Sequence, residues 1–367
     1  MTIRLCAAAS VATFAFGGVA YADSISPASY SDTLSVGESV TIEKTVVVEE
    51  SASSALLDVH FLFDTSGSMG GAIGAAKTDA GAILTGLSGF GGDLAVGVGA
   101  FSEGANLTNA APGNVVNQDL TTSAATAQSA INAITLGNPD GGGDFPERGQ
   151  DAVKLAADNV SWRPGSNRFI VALGDASWKN DLTTDAQAIA ALDAANVSLI
   201  GLRFSNFSAS DPDSDDTTFT QSVEDLGGTS FATGTGTGDV VDSIIAGITA
   251  SFAEYEKVTV DDLGNGLPFI DVSVVCTSAD VGSCVGDTAE GSYDRSVARS
   301  FTFDVTFTRL AAGEASFDTY GLVDGGIVAT EADRFTDGTD GVIPLPASGL
   351  LLLSGVGALA FRRRNRG

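Results

Sequence analysis

Four mostly apolar runs punctuate the middle of the chain: 55–64 (ALLDVHFLFD), 94–101 (LAVGVGAF), 169–173 (FIVAL) and 197–204 (VSLIGLRF). Runs that are apolar on both faces read as strands buried inside a parallel sheet. Segments of helical character separate them, at 72–87, 124–134, 147–159, 184–195 and 239–255. In 184–195, for example, Ala186, Ile189, Ala190 and Leu192 fall near helical spacing. Strands alternating with helices of this length predict an α/β fold with a doubly wound, mostly parallel sheet over residues 55–255. In such sheets ligands gather at the carboxyl ends of the strands.

The flanks follow a different rhythm. Residues 23–54 include SVTIEKTVVVEE, and residues 256–341 include FIDVSVVC, SFTFDVTFTR and FDTYGLVDGGIVAT. These have period-two stretches and no helical pattern, so they predict a β-rich, sandwich-like region. Two arrangements are open: one sandwich built from both sides of the α/β unit, or two separate small β domains.

The two ends read as addresses. Residues 1–22 carry Arg4, an apolar run and then Ala20-Tyr21-Ala22, the pattern of a signal peptide cut by signal peptidase. Cleavage removes Cys6 and leaves Cys276 and Cys284 in an oxidising compartment, where a disulfide between them is expected; two free buried thiols are the alternative. At the other end, residues 342–367 hold Pro344 and Pro346, an apolar stretch to Phe361, and then Arg362, Arg363, Arg364 and Arg366. Residues 342–361 would span about 30 Å as a helix, enough for a hydrocarbon core, with the arginines held in the cytoplasm. This tail resembles the PEP-CTERM group of sorting signals in its VPLPA variant, with Ile343 in place of the leading Val. The resemblance implies an exosortase-type processing enzyme as partner and delivery to a bacterial surface or extracellular matrix; a plain C-terminal membrane anchor is the alternative.

Charge narrows the partners. The chain has 46 Asp+Glu against 18 Lys+Arg, a net charge of -28. Without its two ends it keeps 13 basic residues and a net charge of −33. Phosphate repels such a surface, so nucleic acid is not an expected partner. One histidine and three cysteines also leave little material for a zinc site.

The chemistry gathers in three acidic loops. Asp64-Thr65-Ser66-Gly67-Ser68 directly follows the first strand; Asp144-Phe145-Pro146-Glu147 stands at a second loop-to-helix junction; and Asp175 ends the FIVAL strand. Hard cations such as Mg²⁺ take oxygen ligands and keep some water, so one carboxylate and two hydroxyls on a tight turn suit them. A serine there could alternatively serve only as a helix N-cap, but three such loops at strand ends favour a cation site.

These residues resemble a von Willebrand factor A domain with a metal-ion-dependent adhesion site, whose DxSxS motif is met by Asp64, Ser66 and Ser68. The D-x-P-E segment, together with VGVGAFSE at 96–103 and Trp162-Arg163, is similar to the I-like domain of integrin β chains. The resemblance implies that Asp64, Ser66, Ser68 and Glu147 hold the adhesion cation, with Asp175 acting directly or through water. It further implies a possible second cation at Glu103, Asp144, Glu147 and the carbonyl of Pro146, although Gly142 replaces the asparagine expected there. Gly71 and Ala72 replace the acidic pair of a third site, which is therefore not expected. The cation would be Mg²⁺, or else Ca²⁺ or Mn²⁺. A protein ligand or an acidic polysaccharide would complete its coordination with a carboxylate, and the last helix, 239–255, would shift to report occupancy.

Two further readings stand beside this one: a structural matrix protein whose cation only stiffens the fold, and a hydrolase. The second lacks a credible nucleophile–base pair, since His60 lies four residues, roughly 13 Å, back along its strand from Asp64; it is expected to pack beside a helix. Asp211, Asp213 and Asp215 imitate the start of an EF-hand loop, but Asp216 and Ser222 stand where Gly and Glu belong, so a solvated acidic loop is expected.

Overall fold

A computed structural model describes residues 23–50, 56–90, 92–103, 115–137, 145–204 and 218–338. The leader and tail segments, Asp144, and the loop with Asp211, Asp213 and Asp215 lie outside the described residues. Strands β1 (Ser24–Ser26), β2 (Ser29–Leu34) and β3 (Ser39–Val48) come first. The α/β unit follows, opening with β4 (Leu56–Asp64), α1 (Gly70–Ser88), β5 (Asp93–Phe101), β6 (Gln118–Thr121) and α2 (Ala124–Ala133). It continues through α3 (Gly149–Asn159), β7 (Asn167–Gly174), α4 (Asp185–Ala195) and β8 (Val197–Arg203). It closes with α5 (Phe219–Asp225), β9 (Thr229–Ala232) and α6 (Asp239–Ser251). The last seven strands are β10 (Glu254–Asp261), β11 (Ile270–Ser278), β12 (Ser283–Val285), β13 (Thr288–Asp294), β14 (Arg299–Arg309), β15 (Ala315–Val323) and β16 (Gly326–Asp337).

The α/β sheet runs in the order β6-β5-β4-β7-β8-β9, parallel except for the antiparallel edge strand β6. Both of its faces are covered, which is why β4 is apolar on both. Leu57, Val59, Phe61 and Phe63 pack on one side with Ile73, Ala76, Ile83 and Leu87 of α1 and Val240, Ile244 and Ile248 of α6. Leu62 and Ile170 pack on the other with Ala152, Val153 and Ala156 of α3, Ala188 and Leu192 of α4, and Phe219 and Val223 of α5. The fold is thus the doubly wound, mostly parallel α/β class expected. The chain leaves β4 for β5 on one side and later joins β4 with β7 on the other, so the strand order reverses at β4. The crevice beyond its carboxyl end is where such sheets bind ligands, and Asp64 is its last residue.

Two further sheets, β1-β3-β14-β11 and β12-β13-β10-β15-β16-β2, enclose a second core. Alternation along β14 turns Phe301, Phe303, Val305 and Phe307 inward, all fully buried. Strand β3 pairs with β14 along its length, and β2 lies parallel to β16. Strands from before and after the α/β unit therefore share both sheets, and the α/β unit sits in the connection between β3 and β10. Cys276 on β11 is bonded to Cys284 on β12, with Cα atoms 5.3 Å apart. Among the described residues no helix is long and apolar enough to cross a membrane.

Several details depart from the sequence reading. Helix α6 stops at Ser251, not at 255, because Tyr255 belongs to the sandwich, where it is buried and stacks on Tyr293 at 5.0 Å between ring centroids. Helix α3 starts at Gly149, which frees Glu147 from the helix. Strands β6 and β9 and helix α5 were not anticipated.

Candidate metal centre

Asp64 is 1% exposed, held where β4 gives way to a short 3₁₀ turn, Gly67–Met69. Thr65 pins this junction: its N–H donates to the Phe101 carbonyl at 2.8 Å, its hydroxyl donates to the same oxygen at 2.9 Å, and its carbonyl accepts from Gly137 N–H at 2.8 Å. Asp64 Oδ1 accepts the Ser66 N–H at 2.8 Å, a local turn that holds the carboxylate against the loop. Its other oxygen, Oδ2, is buried and has no hydrogen-bond partner. The hydroxyls of Ser66 and Ser68 lie 3.2 Å apart. Ser66, which enters the turn, makes no side-chain capping bond, so its hydroxyl is not spent on the helix start. Ser66 is buried while Gly67 and Ser68 are exposed, so the loop has one open side.

Glu147 is brought to this place by backbone pairing. Its N–H donates to the Ser177 carbonyl at 2.9 Å and its carbonyl accepts from Lys179 N–H at 2.7 Å, forming a parallel bridge with Trp178. The next residue, Arg148, donates its N–H to the Ser102 carbonyl at 3.2 Å and its guanidinium to Asp151 and Asp181 at 3.0 and 2.9 Å. Gly149 lets this segment approach, because a Cβ there would lie 2.1 Å from the Trp178 indole nitrogen. Glu147 is 2% exposed, and its Oε2 has no hydrogen-bond partner. Asp175, also buried, directly follows Gly174 at the end of β7.

The electrostatics tie these loops together. Burial raises the Asp64 carboxyl well above the ordinary range; its bonds from Ser66 oppose this, and the charge of Asp175 adds to it. Glu147 is raised further, first by burial and then by the charges of Asp64, Glu103 and Asp175, with Lys179 opposing. The acids thus sit close enough to repel one another in a dry setting, and Lys179 offsets only part of that repulsion. Around Glu103 the chain supplies its own cation: Lys179 Nζ lies 3.6 Å from Glu103 Oε1. Pro146, reached through a cis peptide bond, is buried beside Glu147.

A hard divalent cation fits this donor set: one buried carboxylate with an oxygen to spare, a second such carboxylate, and two adjacent hydroxyls. Among the described residues no three carboxylate, imidazole or thiolate groups converge on a single point; the donors here are mixed, with hydroxyls beside acids. The sequence reading missed Ser102 and Ser177, whose buried hydroxyls have no hydrogen-bond partner and which flank Glu147 through their carbonyls. It also missed Lys179. Their only sequence signal is position, just after the ends of β5 and β7.

His60 is sealed away from this centre. Its Nε2 donates to the Val115 carbonyl at 2.8 Å, and it lies against β5, where a Cβ on Gly97 would be 2.4 Å from its Nδ1. The imidazole occupies space that two glycines, Gly97 and Gly99, leave open on the neighbouring strand. Burial pushes its pKa down to about 4.

No family model matches the chain, and no curated protein does. Among solved structures, one that it is similar to is a von Willebrand factor type A protein from Catenulispora acidiphila, at 14% identity, covering 89% of this chain and 76% of that one, with a TM-score of 0.41. Another is the pilus adhesin SpaC from Lactobacillus rhamnosus GG in its open conformation, at 12% identity and a TM-score of 0.38, covering 83% of this chain and 46% of the adhesin.

Proposed function

We propose that the α/β unit is an exported binding module that captures a carboxylate-bearing ligand through one divalent cation, Mg²⁺ or else Ca²⁺ or Mn²⁺. Asp64, Ser66 and Ser68 hold the cation, with Glu147 and Asp175 behind them. The observation that carries this reading is the pair of buried carboxylate oxygens without hydrogen-bond partners, Asp64 Oδ2 and Glu147 Oε2, set among hydroxyls that no cap consumes. When bound, the cation supplies the missing positive charge and an open coordination position. The chain's residues do the rest: the β4 terminus and the Thr65 bonds fix the donors, burial excludes water from the inner side, and exposed Gly67 and Ser68 leave the outer side to the ligand. Lys179 beside Glu103 supports a single cation rather than two. Export by the leader and sorting by the tail place the module at a bacterial surface or matrix. His60, buried against Val115 and two glycines, supports binding rather than hydrolysis.

Retention on immobilised polyuronate and on carboxylate-rich protein separates the ligand classes. Binding to one of them in Mg²⁺, lost in chelator and lost in Ser68→Ala, is the expected outcome. Retention that is indifferent to chelator would refute cation-mediated capture. The same burial of mutually repelling acids favours a second reading, in which the cation only stabilises a structural matrix protein. That reading is met if chelator lowers thermal stability while neither matrix is retained under any condition.

A further inference from the structure

The sandwich contains a polar cluster that the cation site does not use. Lys44 on β3, and Glu331 and Asp333 on β16, occupy inward positions of two different sheets and are all 0–1% exposed. Lys44 Nζ contacts Glu331 Oε2 directly and lies 3.6 Å from Asp333 Oδ1. Thr319 donates its hydroxyl to Asp333 Oδ2, which fixes that carboxylate in place. Glu331 Oε1 and Asp333 Oδ1 accept no hydrogen bond. Aromatic rings wall the cluster: the ammonium stands 4.9 Å from the Phe307 centroid, and Phe307 and Phe317 both pack on Phe335.

Two acids and one amine sealed among rings form a poor ion-pair site. Desolvation of three charges is only partly repaid by attraction, and apolar replacements of such clusters are often as stable. The same surroundings favour the neutral carboxylic acid, in contact with the Lys44 side chain and shielded from water. Burial raises both Glu331, to about 7, and Asp333.

We infer that Lys44 and Glu331 condense into an intramolecular amide, a covalent staple between the two sheets of the sandwich. Proton transfer within the pair gives the Lys44 amine and the Glu331 acid. The amine lone pair attacks the Glu331 carboxyl carbon, forming the C–N bond. Asp333 takes a proton from the nitrogen and returns one to the departing hydroxyl, and water leaves as the C–O bond breaks. Nothing is oxidised or reduced, and no co-reactant is needed. Holding the groups in contact replaces the encounter that makes this reaction slow in solution. The bond ties residue 44 to residue 331 and so closes the sandwich around the connection that carries the whole α/β unit.

Tryptic mapping of the full chain, denatured after folding, tests this. Trypsin cuts after Lys44 only where its amine is free. The expected product joins a peptide ending at Lys77, uncut at Lys44, to peptide 310–334, and it is lighter than their sum by one water. Fragment ions should place the link on Glu331. Asp333→Asn, which keeps the fold and both reacting groups, should slow closure by about a hundredfold, the usual worth of a positioned acid–base group. Release of a peptide ending at Lys44 together with free 310–334 from the parent protein would overturn the staple. A link to Asp333 instead, or full closure in Asp333→Asn, would overturn the roles assigned here.

Discussion

The molecule buries two clusters of charged side chains, and they are built on opposite terms. At the end of β4, the buried acids Asp64, Glu147 and Asp175 repel one another, Lys179 offsets only part of this at Glu147, and the loop has one exposed side, at Gly67 and Ser68. Inside the sandwich, Lys44 answers Glu331 and Asp333 within the chain, all three are buried, and the Phe307 ring lies against the ammonium. Buried charge is costly unless paired. The sandwich meets that cost from its own residues and gains a tie between sheets. The α/β unit leaves much of that cost standing, and the proposed cation would meet it from outside. The sandwich cluster is fastening and the cluster at the end of β4 is reception.

The largest expected effect breaks the fastening. Lys44→Ala strands two buried carboxylates and should lower stability by about 3–5 kcal/mol, read as a shifted denaturant midpoint. Replacing all three residues together by apolar ones should recover the part of that loss that comes from stranded charge, but not the part that comes from the lost tie between the sheets.

A third buried group, His60, is neutral and sharpens the contrast. Its folded pKa of about 4 lies below the ordinary 6.5, so between these values the unfolded chain binds the extra proton. Stability from this residue is complete above pH 6.5 and falls as pH drops toward 4, by about 3 kcal/mol. Denaturation of the parent and of His60→Gln across this range should converge as the pH falls.

Saturating cation should then stabilise the reception side. At a hundredfold excess over Kd the gain is about 2.7 kcal/mol, visible as a rise in Tm for the parent and absent in Asp64→Ala. The smallest effect has the most telling sign. In chelator, Asp64→Asn removes repulsion from the acidic cluster and should leave the protein as stable as the parent or about 1 kcal/mol more so. A clear loss of stability there would mean that Asp64 is a structural acid.

Much of this was legible in the amino-acid order, and the reasons differ by place. The doubly wound sheet was, because β4, β5, β7 and β8 are long and apolar, and because the helices between them keep their period. The motif Asp64-Thr65-Ser66-Gly67-Ser68 was legible because a tight turn keeps its donors consecutive. Strands β6 and β9 were not, since QDLT and TSFA are too short to carry a pattern, and α5 (FTQSVED) shows little apolar stripe. The seat of Glu147 was misplaced onto a helix because its position comes from pairing with Trp178, a contact distant in sequence. The sandwich cluster was hidden for a related reason. Lys44, Glu331 and Asp333 sit at inward positions where a period-two reading expects apolar residues, so they pass for solvent-facing ones until the opposing sheet is in place.

The cation site stands or falls on one titration: Mg²⁺ and Ca²⁺ into the folded protein by calorimetry, beside Asp64→Ala. Saturable binding of about one cation per chain that disappears in the variant is the expected result. Equal heats from both proteins, or none from either, would contradict it and leave the acids at the end of β4 without a counter-charge.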